Sequence, residues 1–296
     1  MPHAHHGAFG SSPTALTLIL LCTAVVSAWR WLRLRPTDSR GVPAWRTGSL
    51  LAGLLLIWIA VRSPIASLDH ELLTVHMIQH LVLMTLAPPM LWLSAPVLRL
   101  SFARSHTFMP APLAPSVYKA GRRIGRLLVQ PALCWLAATV TLVGWHVPTA
   151  FTLGMRSEAW HVVEQMSFLG TGLMFWMPIV RAWEAVPTES GWSIVLYLFF
   201  AMLPCDLLSG FLVFSERVAY PAYLSVPRRF GLSVLDDQQC AGALMWTVVT
   251  IVYFVVGTIL SMRLLSLPRS TGHRLMPSEL HGDTGLPRRP QSVEVA

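Results

Sequence analysis

Charged residues are scarce in this chain. Of its 296 residues, 12% are charged and 54% are hydrophobic, whereas soluble globular domains carry about 25% charged residues. So few charges leave little surface to face water, which argues against any soluble domain. The apolar residues form long unbroken runs, and a helix needs about 20 such residues to cross a bilayer. Because a lipid-exposed backbone needs internal hydrogen bonds, these runs predict transmembrane helices rather than a barrel.

Several signatures of catalysis and binding are also missing. The chain has no C-x-x-C pair, and its four cysteines stand alone in apolar runs, which argues against a disulfide framework or a zinc ribbon. It has no nucleophile elbow and no Gly-rich phosphate loop. The net charge of +8 comes from basic residues in loops without interleaved aromatics, which indicates topology signals rather than nucleic-acid binding. We therefore expect a membrane protein that is not an enzyme.

The hydrophobic pattern predicts an all-α polytopic transmembrane bundle with about seven spans. The predicted spans are Pro13–Trp31, Arg46–Val61, Leu72–Ala95, Pro131–His146, His161–Val180, Trp192–Phe214 and Gln239–Leu260. A His-containing segment, residues 1–12, precedes this transmembrane domain of residues 13–262. The polar, Pro- and Gly-rich tail, residues 263–296, is predicted to be disordered and cytoplasmic.

Basic residues divide unevenly between the two sides of the predicted bundle. With the seven spans above, 17 Lys and Arg residues fall on the side of the C-terminal tail and five on the other side. Cytoplasmic loops carry the excess of Lys and Arg. The N-terminus is therefore predicted to lie outside and the C-terminus in the cytoplasm.

Polar side chains from several predicted spans reach one depth, the extracytoplasmic third. His76 and His80 stand four residues apart, so they share one helical face. Two imidazoles so placed can hold one metal ion such as Cu, Zn or Fe, although each His could instead hydrogen-bond a neighbouring helix. The candidate metal ligands at this depth are His76, His80, His146, His161, Glu164, Asp237, Gln239 and Met245.

Four sequence motifs carry a family resemblance. Span 3 reads HMIQHLVLMTLAPP, span 5 begins HVVEQMSF, span 6 contains LPCD, and span 7 opens with LDDQQCAGALMW. Over about residues 45–262, this series resembles the multi-span CtaG family of cytochrome c oxidase assembly factors. The sequence departs from the family pattern at Gln165, where we would expect His, so the resemblance does not imply a fully imidazole site.

The resemblance implies a seven-span protein of the bacterial plasma membrane that helps to build a haem–copper oxidase, with copper delivery to the oxidase as its usual proposed role. Its implied partners are the oxidase subunits, other copper chaperones and the lipid bilayer, and no nucleic acid is expected. Two alternatives stay open from the residues alone: a bis-His haem-binding electron carrier and a metal or proton transporter. The inner halves of spans 3 to 5 are almost purely apolar, which counts against a complete transport path.

The uneven distribution of basic residues yields a direct test of topology. A reporter that is active only in the cytoplasm, fused after Ala296, should be active, because Lys and Arg are retained on the cytoplasmic side. Activity of a periplasm-specific reporter at the same position, with the cytoplasmic one silent, would reverse the predicted orientation.

Overall fold

The computed structural model describes residues 43–94, 130–184, 191–227 and 230–266, together with Thr23 and Val25. Within these ranges the chain forms helices and no strands, which confirms the all-α prediction for this part. Predicted span 1 lies outside the described residues except for those two positions. The N-terminal segment 1–12 and residues 267–296 of the predicted tail lie outside them as well.

Eight α-helices are found in the described residues. The α-helices are α1 (Ala44–Arg62), α2 (Leu73–Leu81), α3 (Ala87–Leu93), α4 (Pro131–His146), α5 (Pro148–Arg156), α6 (Glu158–Glu184), α7 (Trp192–Phe214) and α8 (Val234–Leu265). Short 3₁₀ helices, Ala66–Leu68 and Pro221–Ser225, precede α2 and α8. One π-helical turn, Val82–Leu86, joins α2 to α3.

Three of these helices are long and apolar enough to cross a membrane. They are Trp45–Arg62, Trp192–Phe214 and Val234–Leu265, and the pair α4 and α5, bent by 76°, makes a fourth if it counts as one broken span. The predicted limits of spans 4 and 6 coincide with α4 and α7, while α6 and α8 extend beyond predicted spans 5 and 7 at both ends. Spans 1, 3 and 5 stay predictions as membrane crossings.

The helical path of predicted span 3 is interrupted by the π turn just before two prolines. Pro88 and Pro89 have no backbone N–H, so carbonyl groups one turn earlier lose their helical donors. The Trp176 indole N–H on α6 donates to the Met84 carbonyl oxygen at 3.1 Å. This bond satisfies one of the buried carbonyl groups and fixes α6 against the π turn.

Gly172 permits that close approach of α6. A Cβ atom at this position would lie 2.8 Å from both the Cα and the carbonyl oxygen of Met84, and 3.0 Å from Pro88 Cγ. Backbone atoms cannot move aside as a flexible side chain can. The contact between α6 and the π turn therefore requires glycine at position 172.

The N-terminus of α2 is capped by a side chain of α8. Its N-cap residue, Leu72, has no capping side chain, and Asp237 takes over this role. The Leu73 and Thr74 N–H groups donate to the Asp237 carboxylate at 2.7 and 3.1 Å, and the Thr74 hydroxyl donates to it at 2.7 Å. A carboxylate at this end also complements the helix dipole. These hydrogen bonds fix the position of the first turn of α2 relative to α8.

Two glycines two positions apart on α6, Gly170 and Gly172, offer a matched test of this packing. Gly172→Ala should lower the thermal unfolding midpoint, since overpacking a close contact costs about 1–3 kcal/mol. Gly170→Ala should leave the midpoint unchanged or raise it, because no atom lies within 4 Å of its Cβ position and alanine favours helix by about 1 kcal/mol. Equal midpoints for the two variants in detergent would show that the close approach contributes nothing to stability.

Candidate metal centre

Two histidines of α2 face one carboxylate of α6. His76 and His80 lie one turn apart, with ring centroids separated by 4.4 Å. Their Nε2 atoms lie 3.4 and 3.3 Å from the same oxygen, Oε1, of Glu164. All three side chains are buried. We call His76, His80 and Glu164 the buried triad, and it brings together three of the predicted ligands.

The ligand atoms of the buried triad lack hydrogen-bond partners. Both ring nitrogens of His76, both of His80 and both carboxylate oxygens of Glu164 are buried without a well-directed hydrogen bond. Buried polar atoms are almost always paired, and leaving them unpaired is costly. One ligand atom from each residue lies within 4.8 Å of the other two. Two imidazoles and one carboxylate at this spacing can hold a single cation, which would engage one ligand atom of each residue.

A second group of ligand atoms shares His76. Asp69, His76 and His161 also place one ligand atom each within 4.8 Å of one another, and we call them the mouth triad. His161 Nε2 lies 3.5 Å from Asp69 Oδ2. His161 was predicted from the sequence, whereas Asp69 was missed because it precedes the span rather than lying within it. The Asp-His pair immediately before the span was the available signal.

Aromatic rings close the space around the buried triad. Phe168 stacks on His80 with ring centroids 4.0 Å apart, and Phe151 meets the edge of His76 at 5.0 Å. Behind them, the Tyr220 hydroxyl donates to the His146 carbonyl oxygen and the Tyr223 hydroxyl to that of Asp69. Burial raises the pKa of both phenols, so these tyrosines remain donors. The walls keep water away from the ligand atoms.

His146 lies beside the buried triad but has its own partners. Its ring centroid is 5.9 Å from that of His80. Its Nδ1 lies 2.6 Å from the Leu142 carbonyl oxygen, and because a carbonyl only accepts, Nδ1 carries the proton. Its Nε2 lies 3.2 Å from the Met77 sulfur. His146 belongs to neither triad among the described residues.

The predicted ligands on α8 belong to neither triad. Asp237 caps α2, as described above, and Gln239 is half-buried. Met245 is buried and lines a cavity of about 40 Å³ together with His80, Cys205 and Tyr253. The structure therefore brings His76, His80, His161 and Glu164 into the triads. The roles of Asp237, Gln239 and Met245 as metal ligands stay predictions.

Comparison with known proteins identifies a family. Residues 25–266 match the family model of the cytochrome c oxidase caa3 assembly factor, Caa3_CtaG. No match was found among curated proteins or among solved structures. The family match covers most of the chain and includes every residue of the two triads. It confirms the resemblance seen in the sequence motifs, and the chain belongs to the CtaG family of cytochrome c oxidase caa3 assembly factors.

Proposed function

We propose that this assembly factor binds copper at the buried triad and aids its insertion into a haem–copper cytochrome c oxidase. The observation that supports this proposal is the set of imidazole and carboxylate atoms without hydrogen-bond partners on His76, His80 and Glu164. Unpaired polar atoms buried in a membrane protein are costly unless something binds there. A metal ion is the simplest occupant, and copper is the metal that a haem–copper oxidase takes up in addition to its haem iron.

The charge of the buried triad supports copper in its monovalent state. With both imidazoles neutral, Glu164 gives the triad one negative charge, and the carboxylate is buried. A monovalent cation cancels that charge, whereas a divalent ion would leave a net charge in a low-dielectric interior. Imidazole is a good copper ligand, and soft thioether ligands favour Cu(I). Met245 lines the same cavity as His80, so a thioether lies on that side of the site.

Haem and transport are less well supported. A bis-His haem site needs two imidazoles on opposite faces of a porphyrin. His76 and His80 lie on one face of α2 with ring centroids 4.4 Å apart, which leaves no room for a porphyrin between them. A transporter needs polar groups along a whole path, and the cavity beside His80 is lined mainly by apolar side chains. These observations favour a bound ion that is handed over on one side of the membrane.

The membrane arrangement forms part of the proposal. We place seven spans in the bacterial plasma membrane, with the N-terminus outside and the C-terminus in the cytoplasm, on the strength of the basic-residue distribution. The buried triad then lies in the extracytoplasmic third of the bundle. The partners are subunits of the oxidase and other copper chaperones that supply the ion.

Glu164→Gln separates a metal site from a structural ion pair. The substitution removes the charge but keeps the shape, so copper affinity should fall by more than about tenfold, while the metal-free protein remains folded. The matched control is Glu158→Gln, an exposed carboxylate on the same helix, which should bind copper as the wild type does. Copper content of the detergent-purified proteins is measured by elemental analysis.

A purely structural role of the buried triad predicts a different result. If Glu164 serves only as a structural ion-pair partner of His76 and His80, Glu164→Gln should destabilise the protein by about 3–5 kcal/mol, the cost of breaking a buried ion pair. Copper content would then be low in the wild type and unchanged in the variant.

A deletion strain tests the role in oxidase assembly. Oxidase purified from it should contain haem but little active-centre copper, because the delivery step is missing. Added copper should restore activity in part by mass action. A gene carrying His76→Ala and His80→Ala should fail to complement the deletion, although the variant protein reaches the membrane. A copper-to-haem ratio equal to that of the parent strain would refute copper delivery.

A further inference from the structure

Exposure to solvent rises from the buried triad to the mouth triad and beyond. Glu164 and His76 side chains are 1% exposed, the His161 side chain is 11% exposed, and that of His70 is 52% exposed. The His70 ring meets the edge of the His161 ring at 5.4 Å. A series of imidazoles therefore leads from the protein surface to the buried triad, and the mouth triad occupies its middle.

The side-chain amides of Gln79 and Gln165 determine which ring nitrogen of His161 carries the proton. The Gln79 side-chain N–H donates to the Ala66 carbonyl oxygen at 3.0 Å. A backbone carbonyl only accepts, so this bond sets the orientation of the Gln79 amide. Its oxygen then faces the Gln165 amide nitrogen at 3.5 Å. Gln165 in turn directs an N–H at His161 Nε2, 3.2 Å away, so the lone pair of that nitrogen accepts this hydrogen bond and the ring proton lies on Nδ1.

The same geometry makes the mouth triad attractive to a cation. The acceptor atom His161 Nε2 lies 3.5 Å from the carboxylate atom Asp69 Oδ2. Two electron-rich atoms at this distance repel one another unless a positive charge lies close to both. Gln165, the residue that departs from the family motif, thus positions a ligand atom rather than removing one.

The two triads differ in how their atoms are satisfied. Asp69 Oδ2 accepts a hydrogen bond from Gln79 at 3.0 Å, and His161 Nε2 accepts one from Gln165. The ligand atoms of the buried triad have no such bonds. A cation at the mouth triad competes with existing hydrogen bonds, whereas one at the buried triad replaces none. The mouth triad should therefore bind more weakly and release more readily.

We propose that the mouth triad is a second cation site, through which copper reaches and leaves the buried triad by exchange around the shared ligand His76. In the exchange, the bonds from the ion to Asp69 and His161 break as bonds to Glu164 and His80 form. His76 is a ligand both before and after the exchange, and the ion retains its oxidation state, so no electron or proton is transferred. This inference rests on the proposed copper-binding function.

Rates of copper transfer test the inference. Cu(I) is offered to the detergent-purified full chain as a complex with a chromophoric chelator, and uptake and release are followed by stopped-flow absorbance. His161→Leu, and separately the isosteric Asp69→Asn, should slow uptake and release by the same factor, about tenfold or more. The dissociation constant should stay within about threefold, because the buried triad is intact and a pathway site alters rates rather than equilibrium.

The control is Glu158→Gln, which removes an exposed charge three residues before His161 and should leave both rates unchanged. If copper uptake and release were slowed equally in this control, the effect would come from general surface charge, and the inference would be overturned. Wild-type uptake rates in both mouth-triad variants would also overturn it. Faster release together with weaker copper binding would do so as well, because the two triads would then act as one binding site. A wild-type protein that takes up no Cu(I) would instead refute the proposed function itself.

Discussion

The carboxylate of Asp237 connects the first turn of α8 to the first turn of α2, across 164 positions of the chain. Without it, the first N–H groups of α2 would be buried with no acceptor, because α2 lacks a capping side chain of its own. Unpaired backbone groups are especially costly in an apolar environment. The position of His76, three residues into α2, and of His80 one turn later therefore depends on this bond.

The other side of the site is fixed by three contacts with α6. The Trp176 indole donates to a carbonyl of the π turn, and Gly172 lets the two backbones approach. The Trp92 indole adds a bond of 2.8 Å to the Leu173 carbonyl oxygen. Together these contacts set the height of α6 against the helical path that starts with α2. Glu164, two turns before Gly172, is thereby held opposite the two histidines.

The proposed handover of copper needs ligands that capture the ion without enclosing it. In that proposal, the buried triad supplies three ligands of mixed type, fewer than the four that complete a structural site. Its carboxylate lowers the cost of burying a cation, and its aromatic walls exclude water that would compete for the ion. Membership of an oxidase assembly family is consistent with this proposed role.

The amino-acid sequence by itself determined the helical class, the limits of α4 and α7, and the facing of His76 and His80, because these depend on local hydrophobic runs and on the helical repeat. It also contained the motifs that identify the family. Tertiary structure alone decided that Asp237 caps a helix, that Asp69 joins the mouth triad, and that Gln165 orients His161. Each of these roles depends on a partner from another element, and residue spacing within one helix carries no information about which buried groups will meet across the bundle.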